Sequence, residues 1–430
     1  MKRIVSLIML FVVAISLVSC GEKEPKPEGD GEPIQDETES IDLRIVYKEA
    51  GNSIATTGGG NEDGFYVLTP RIYQPDSSEQ HCNIVYTDYK TKTQVYLCND
   101  PSCRHNTDEC SSFVSISKTS AAIFPVKNKL VLFKYGASIG MAESEDDLCS
   151  VTIMDLDGKN RERICAFDAK ETVNAPIAAQ ADGEILYFQV ISLDEDLNTI
   201  KKLVSVNLKN GQKSIETNLP ASYQLVSAYD DCLVFFDTEQ FVDMVYSLSS
   251  KSMKKGMIAS EMYDGSKSVA TKIEGSTIQD RIKASEISII SYDFKEEKTS
   301  ELGPYPLEDG HGIAGLIGLH DDHVMIEYIK ISDNAEEIIR NCVDLNSGKA
   351  VKNDMFFSSS GMIRPVSIIA DAGDSYLVFY NTIQITQTYY DSEGVAHSFD
   401  NDAYPQYALI KKEDYWNNIT NFIPIDDKTM

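Results

Sequence analysis

Five segments of the chain share one design, a short polar turn followed by an aliphatic and aromatic run. They are Lys127 to Phe133, Asp182 to Phe188, Asp230 to Phe236, Asp321 to Glu327 and Gly373 to Phe379, with Gly64 to Leu68 as a weaker copy. Each reads as a turn and then a strand rich in β-branched and aromatic residues. A second element recurs downstream: a strand, a polar turn containing Gly, Asn, Asp or Lys, and another strand. Its copies are Ile84 to Val95, Ile153 to Ile164, Val204 to Ile215, Ile289 to Lys298 and Cys342 to Val351, and looser versions at Val245 to Met257 and Tyr407 to Ile423 bring the count to seven. A unit of three or four antiparallel strands recurring roughly every 50 residues is the mark of a β-propeller. One small twisted sheet cannot cover both of its faces alone, and radial stacking of blades buries both. The reading is therefore all-β: a single β-propeller over 43–430, with seven blades matching the hairpin count. Six or eight blades, or a pair of β-sandwiches, are the competing readings. The repeat is hardest to follow from Ala259 to Ile287. Helix is expected only as short turns, at Arg281 to Glu286 and Asp414 to Asn418.

The first forty residues concern location. Lys2 and Arg3 precede an apolar run, Ile4 to Val18, that ends in Leu17-Val18-Ser19-Cys20. This reads as a signal peptide over 1–19, with Cys20 as the lipidated first residue of a bacterial lipoprotein. Residues 20–42 carry that Cys and a stretch rich in Glu, Asp, Pro and Gly, which cannot bury enough apolar surface to offset its chain entropy and reads as a disordered acidic tether. No second apolar stretch approaches the about 20 residues that a spanning helix needs. The expectation is an extracytoplasmic protein held at the cell membrane by lipid alone. The net charge of -28 argues against nucleic acid, whose phosphates require a basic face.

The densest chemistry lies between the first and second predicted blades. Cys98, Cys103, His105 and Cys110 fall within one short loop that Pro101 turns. Three thiolates and an imidazole can close a tetrahedral zinc shell, provided His105 points inward from a turn. The neighbouring His81-Cys82 pair could supply a replacement ligand. Structural disulfides are the alternative, Cys98–Cys110 or Cys82–Cys103, and an oxidising compartment permits them. Either way the loop reads as a clamp, because a closed shell of three Cys and one His leaves no open position for catalysis. Covalent haem does not fit, since the Cys-x-x-Cys-His spacing is absent.

The lipobox at Cys20, the acidic tether, the Cys98–Cys110 loop after the first blade and the TolB-like repeats together resemble a group of β-propeller lipoproteins of Gram-positive gut bacteria. The resemblance covers most of the chain beyond the signal peptide, and the Cys-His loop is its most specific part. It implies a surface-exposed, lipid-anchored propeller, and it implies no established activity or catalytic residues.

Other motifs have simpler readings. Gly136 to Gly140 matches the spacing of a nucleophile elbow, but the helix that should follow is replaced by a short acidic stretch and another strand. His320-Asp321-Asp322-His323 occupies a turn that recurs elsewhere without His. Asp155 to Asn160 lacks the bidentate Glu of a calcium loop and reads as a hairpin turn. Thr56 to Gly64 lacks the Lys-Ser/Thr ending of a phosphate loop. Trp416 and Tyr389-Tyr390 could stack on sugar, though aromatic residues are more often simply buried. Two functions remain in view. One is a binding or scaffold module for a protein, peptide or cell-wall glycan. The other is a glycan- or peptide-acting hydrolase or lyase at the channel mouth, with loop carboxylates such as Asp194 and Asp196 as candidates.

Overall fold

The structure, a computed structural model, describes residues 41–48, 58–69, 72–73, 80–116, 120–137, 139–194, 196–256, 260–273, 284–308, 314–332, 335–391 and 393–429. Cys20, the signal peptide and most of the tether lie outside the described residues, as does Ser138. Within Ser40–Met430 the strands pair into seven blades, as the hairpin count predicted.

Blade 1 is built from Gly59–Gly60, Gly64–Leu68, Gln80–Asp88 and Thr93–Tyr96. Blade 2 follows with Ala121–Val126, Lys129–Lys134, Ser150–Asp155 and Glu162–Ala166, and blade 3 with Glu171–Gln180, Ile185–Leu193, Thr199–Asn207 and Lys213–Leu219. Blade 4 comprises Tyr223–Tyr229, Cys232–Asp237, Val242–Ser247 and Ser252–Lys255. Blade 5 comprises Met262–Asp264, Lys267–Lys272, Glu286–Asp293 and Lys298–Pro306, so the described residues of the stretch that was hardest to read belong to a four-stranded blade. Glu286 opens its third strand, so the helical turn expected there is absent at that residue. Blade 6 comprises Gly315–His320, His323–Ser332, Ala335–Asp344 and Ala350–Lys352; blade 7 comprises Ser367–Ala372, Ser375–Tyr390, Ala396–Lys411 and Ile423–Pro424. A helix at Lys412–Trp416 occupies the place of the turn between the last two strands of blade 7, close to where a helical turn was expected.

First strands of blades 7 and 1, 1 and 2, 3 and 4, 4 and 5, and 5 and 6 touch one another, so the first strands lie toward the centre and the fourth strands form the rim. Buried side chains divide into one cluster per blade-to-blade interface. Phe124, Phe133, Val173 and Phe188 fill the seam between blades 2 and 3, for example, and Phe65, Tyr89, Leu377 and Leu409 fill that between blades 7 and 1. The alternation of each strand is what supplies both faces.

The chain direction sorts the connections onto two faces. One, the turn face, carries the tight turns between first and second and between third and fourth strands. The other, the loop face, carries the second-to-third loops and the links between blades. At the turn face a local rule repeats. The last residue of the third strand is Asp88, Asn207, Asp293 or Asp344 in blades 1, 3, 5 and 6, and its Oδ1 accepts the backbone N–H two residues on. The next residue, Tyr89, Leu208, Phe294 or Leu345, donates its own N–H to the carbonyl of the neighbouring turn. An Asx turn and an apolar anchor are thus written into each of these four hairpins.

Three features depart from the simple repeat. Leu43–Tyr47 adds a fifth strand to blade 3, antiparallel to its first strand. Phe356–Ser359 and Met362–Pro365 form an inserted hairpin between blades 6 and 7. Asp426–Asp427 pairs in parallel with Thr93–Gln94 at the rim of blade 1 and closes the ring.

Candidate metal centre

The loop after Thr93–Tyr96 leaves blade 1 on the loop face and returns as Phe113–Ser115 against Gln80–Asp88. Short backbone bonds coil it: Cys103 N–H donates to Asp100 O at 3.1 Å, Cys110 N–H to Thr107 O at 3.0 Å and Phe113 N–H to Cys110 O at 3.1 Å. Asp100 Oδ1 accepts Ser102 N–H at 2.8 Å, which fixes the bend after Pro101. His105 has a φ of 57°, the left-handed turn that its inward orientation required. Asn83 holds that conformation by donating from Nδ2 to His105 O at 2.8 Å.

The structure brings together all four residues that the sequence singled out. One donor atom from each of Cys98, Cys103, His105 and Cys110 lies within 4.8 Å of the others. His105 Nδ1 is 3.3 Å from Cys110 Sγ, and its ring packs on Tyr96 with centroids 4.4 Å apart. Two backbone donors point at sulfur: His105 N–H to Cys103 Sγ at 3.3 Å and Ser112 N–H to Cys110 Sγ at 3.4 Å. Burial pushes the Cys103 thiol up to about 11. Burial acts upward on Cys110 too, but hydrogen bonds from Ser112, Cys103 and Cys98 outweigh it and hold Cys110 below an ordinary thiol. The cluster can hold a metal ion. Cys82 is not one of its members; it sits in the core between blades 1 and 2 with Ile84 and Val114, and His81 stacks on Phe113. Neither is placed as a replacement ligand, and no disulfide joins any two of the described cysteines.

A second polar cluster marks the channel mouth on the turn face. Lys412 Nζ bridges Asp321 at 2.8 Å and Asp371 at 2.6 Å. Tyr376 donates its hydroxyl to Asp321 Oδ2 and receives a bond from Trp416 Nε1 at 3.1 Å. Burial acts upward on Asp321, but Lys412 and Tyr376 hold it ionised below the usual range. Burial pushes the neighbouring His320 down to about 4, so it is neutral at physiological pH. Trp416 is buried, stacked 4.6 Å from His323; it belongs to the core and offers no sugar platform. His323 Nδ1 lies 2.8 Å from Asp321 O. Asp194 does not pair with Asp196 either: it accepts Asp196 N–H at 2.9 Å and Asn198 N–H at 2.8 Å, closing its own loop. Asp155 N–H donates to Lys159 O and Gly158 takes a φ of 80°, so that segment is a hairpin turn.

No protein-family model matches the chain, and no curated protein matches it. Solved structures do. An acylaminoacyl peptidase in complex with Z-Gly-Gly-Phe-chloromethyl ketone is 9% identical over 89% of this chain and 52% of its own, with a TM-score of 0.47. An oligogalacturonate lyase in complex with manganese is 12% identical over 88% and 98%, with a TM-score of 0.40. The β-propeller domain of the trilobed protease from Pyrococcus furiosus is 14% identical over 56% and 68%, with a TM-score of 0.33. The chain spans about half the length of the peptidase. Likeness at this level carries no information on activity. By its own strand order the chain is a seven-bladed β-propeller, with a cluster of three Cys and one His beside the seam that closes it.

Proposed function

We propose that the protein is a lipid-anchored extracytoplasmic binding module that engages a protein or peptide through the loop face of blades 2 to 4. The observation that carries this reading is the placement of large apolar side chains in the second-to-third loops of three consecutive blades. Met141, Leu197 and Phe241 are 67%, 76% and 68% exposed. Leu197 and Phe241 also adopt φ values of 65° and 50°. That conformation favours Gly or Asn, and a bulky residue there costs free energy twice, once in backbone strain and once in apolar surface left in water. Singly scattered apolar residues need no explanation, but the same loop on successive blades is a pattern. Toward the centre of these blades lies a pocket of about 480 Å³ lined by Ser120, Asn174, Pro176, Gln189 and Gln224 among others. Glu143, Glu145 and Asp146 flank Met141, and Asp194 and Asp196 flank Leu197. A matching ligand is therefore an apolar segment with basic flanks. The first described residues enter on the opposite face, where Leu43 N–H donates to Asp230 O at 2.7 Å.

The alternative is a glycan- or peptide-acting hydrolase or lyase. Its best site is the mouth cluster, where two carboxylates converge, but on Lys412, which pairs with both. A peptide array varying apolar and basic content tests the binding reading. Retention is expected only where both are present, with at least a tenfold loss in the triple variant Met141→Asn, Leu197→Asn, Phe241→Asn. Equal binding by that variant, or turnover of the peptides, would overturn the proposal.

A further inference from the structure

We infer that Cys98, Cys103, His105 and Cys110 bind one Zn²⁺ and that this ion locks the seam at which the propeller ring closes. The donor set selects the metal. Thiolate and imidazole suit zinc and reject calcium and magnesium, which take oxygen. A tetrahedral shell with Zn–S near 2.3 Å and Zn–N near 2.0 Å puts its ligand atoms roughly 3.5 to 3.8 Å apart, inside the 4.8 Å envelope that the four atoms already share. A disulfide would draw only two sulfurs together, to about 2.05 Å. It would leave the third thiol and the imidazole gathered at the same point without a role.

The surroundings fit a charged metal–thiolate centre. Amide donors reach Cys103 Sγ and Cys110 Sγ, as expected for groups that orient and stabilise ligands from outside the shell. Three thiolates and one neutral imidazole around Zn²⁺ carry one net negative charge. The Arg161 guanidinium of blade 2 interacts electrostatically with Cys110 and is tied to the loop through the carbonyls of Ser111 and Phe113. With four protein ligands the shell is closed, so the ion is structural.

Its position gives it a task. Between the ligands stand Arg104 and Asn106, and both reach blade 7. Arg104 Nη1 donates to Gly394 O at 3.2 Å and its guanidinium lies 4.8 Å from the Tyr390 ring centroid; Asn106 Nδ2 donates to Asp391 O at 2.7 Å. The loop begins directly after Thr93–Tyr96, the strand onto which Asp426–Asp427 closes. An ion that orders this loop therefore ties blade 7 to blade 1 on the loop face, while Arg161 ties the same loop to blade 2.

The test uses the whole chain purified under reducing conditions. Metal analysis should find about one Zn²⁺ per chain, and replacement by Co²⁺ should give the thiolate charge-transfer bands of a tetrahedral site, both lost in Cys103→Ser. Should that variant not fold, stripping the parent with a chelator replaces it. Hydrogen exchange at residues 93–96, 391–394 and 426–427 should then speed up at least tenfold, with blade 4 unchanged, and Zn²⁺ should restore protection. Folded protein with free, unmetallated thiols would overturn the site, as would linked peptides joining Cys98, Cys103 or Cys110 in unreduced protein. Bound Zn²⁺ whose removal leaves exchange at the seam unchanged would overturn its task.

Discussion

Asp231 shows how one side chain joins two turns of a blade. Its Oδ2 accepts hydrogen bonds from Ser249 Oγ and from Ser247 Oγ at 2.8 Å, linking the first turn of blade 4 to the second. Led by the Ser249 bond, these interactions hold the carboxyl at about 2, below the roughly 3.9 of a free Asp. A group whose folded pKa is depressed stabilises fully above its unfolded pKa and loses that contribution as pH falls through the folded one. Asp231→Asn should therefore flatten the acid limb of stability between about pH 4 and pH 2, read from denaturant midpoints across that range; a parental acid limb would contradict it. Leu197 presents the opposite case, a residue that costs stability. With φ at 65° and the side chain in solvent, Leu197→Asn should raise stability by about 0.5–1 kcal/mol. A fall of similar size in equilibrium unfolding would show that Leu197 packs in a way its exposure does not suggest.

At the scale of elements, the hairpins on the turn face were the part most legible in the sequence. The signal was chemical: an Asp or Asn ending a strand, an apolar residue after it, and Gly or Lys in the turn. Asp344 is representative, accepting Asn346 N–H at 2.7 Å and Ser347 N–H at 3.1 Å. Asp344→Ala should cost about 1–2 kcal/mol, measured by urea unfolding, while Asp344→Asn should recover most of it. The Cys-His loop was legible for a related reason, since its ligands are close in sequence and a single bend suffices to gather them. The inward turn of His105 could be anticipated, but the hold of Asn83 on it could not, because that contact spans 22 residues. The place of Cys82 was out of reach on the same ground. Spacing alone left it open, whereas the strand register puts Cys82 opposite Val114 and inside the core.

For the whole molecule the decisive event is closure. Asp427 Oδ2 accepts Gln94 Nε2 at 2.8 Å and Tyr404 OH at 2.7 Å, joining the end of the chain to blades 1 and 7. Asp427→Ala leaves those donors without their acceptor, and a loss of about 2 kcal/mol is expected, with hydrogen exchange rising first at 93–96. An unchanged melting temperature would show that the parallel strand is dispensable. The sequence by itself determined the all-β class, the number and placement of the hairpins and the gathering of Cys98, Cys103, His105 and Cys110, because strand alternation and turn chemistry act over a few neighbouring residues. Only the tertiary structure decided that Leu43–Tyr47 joins blade 3, that Asp426–Asp427 closes on blade 1 and that Arg104 and Asn106 reach across to blade 7. Those choices depend on pairings up to 333 residues apart, where many strand edges compete and only the packed ring selects among them.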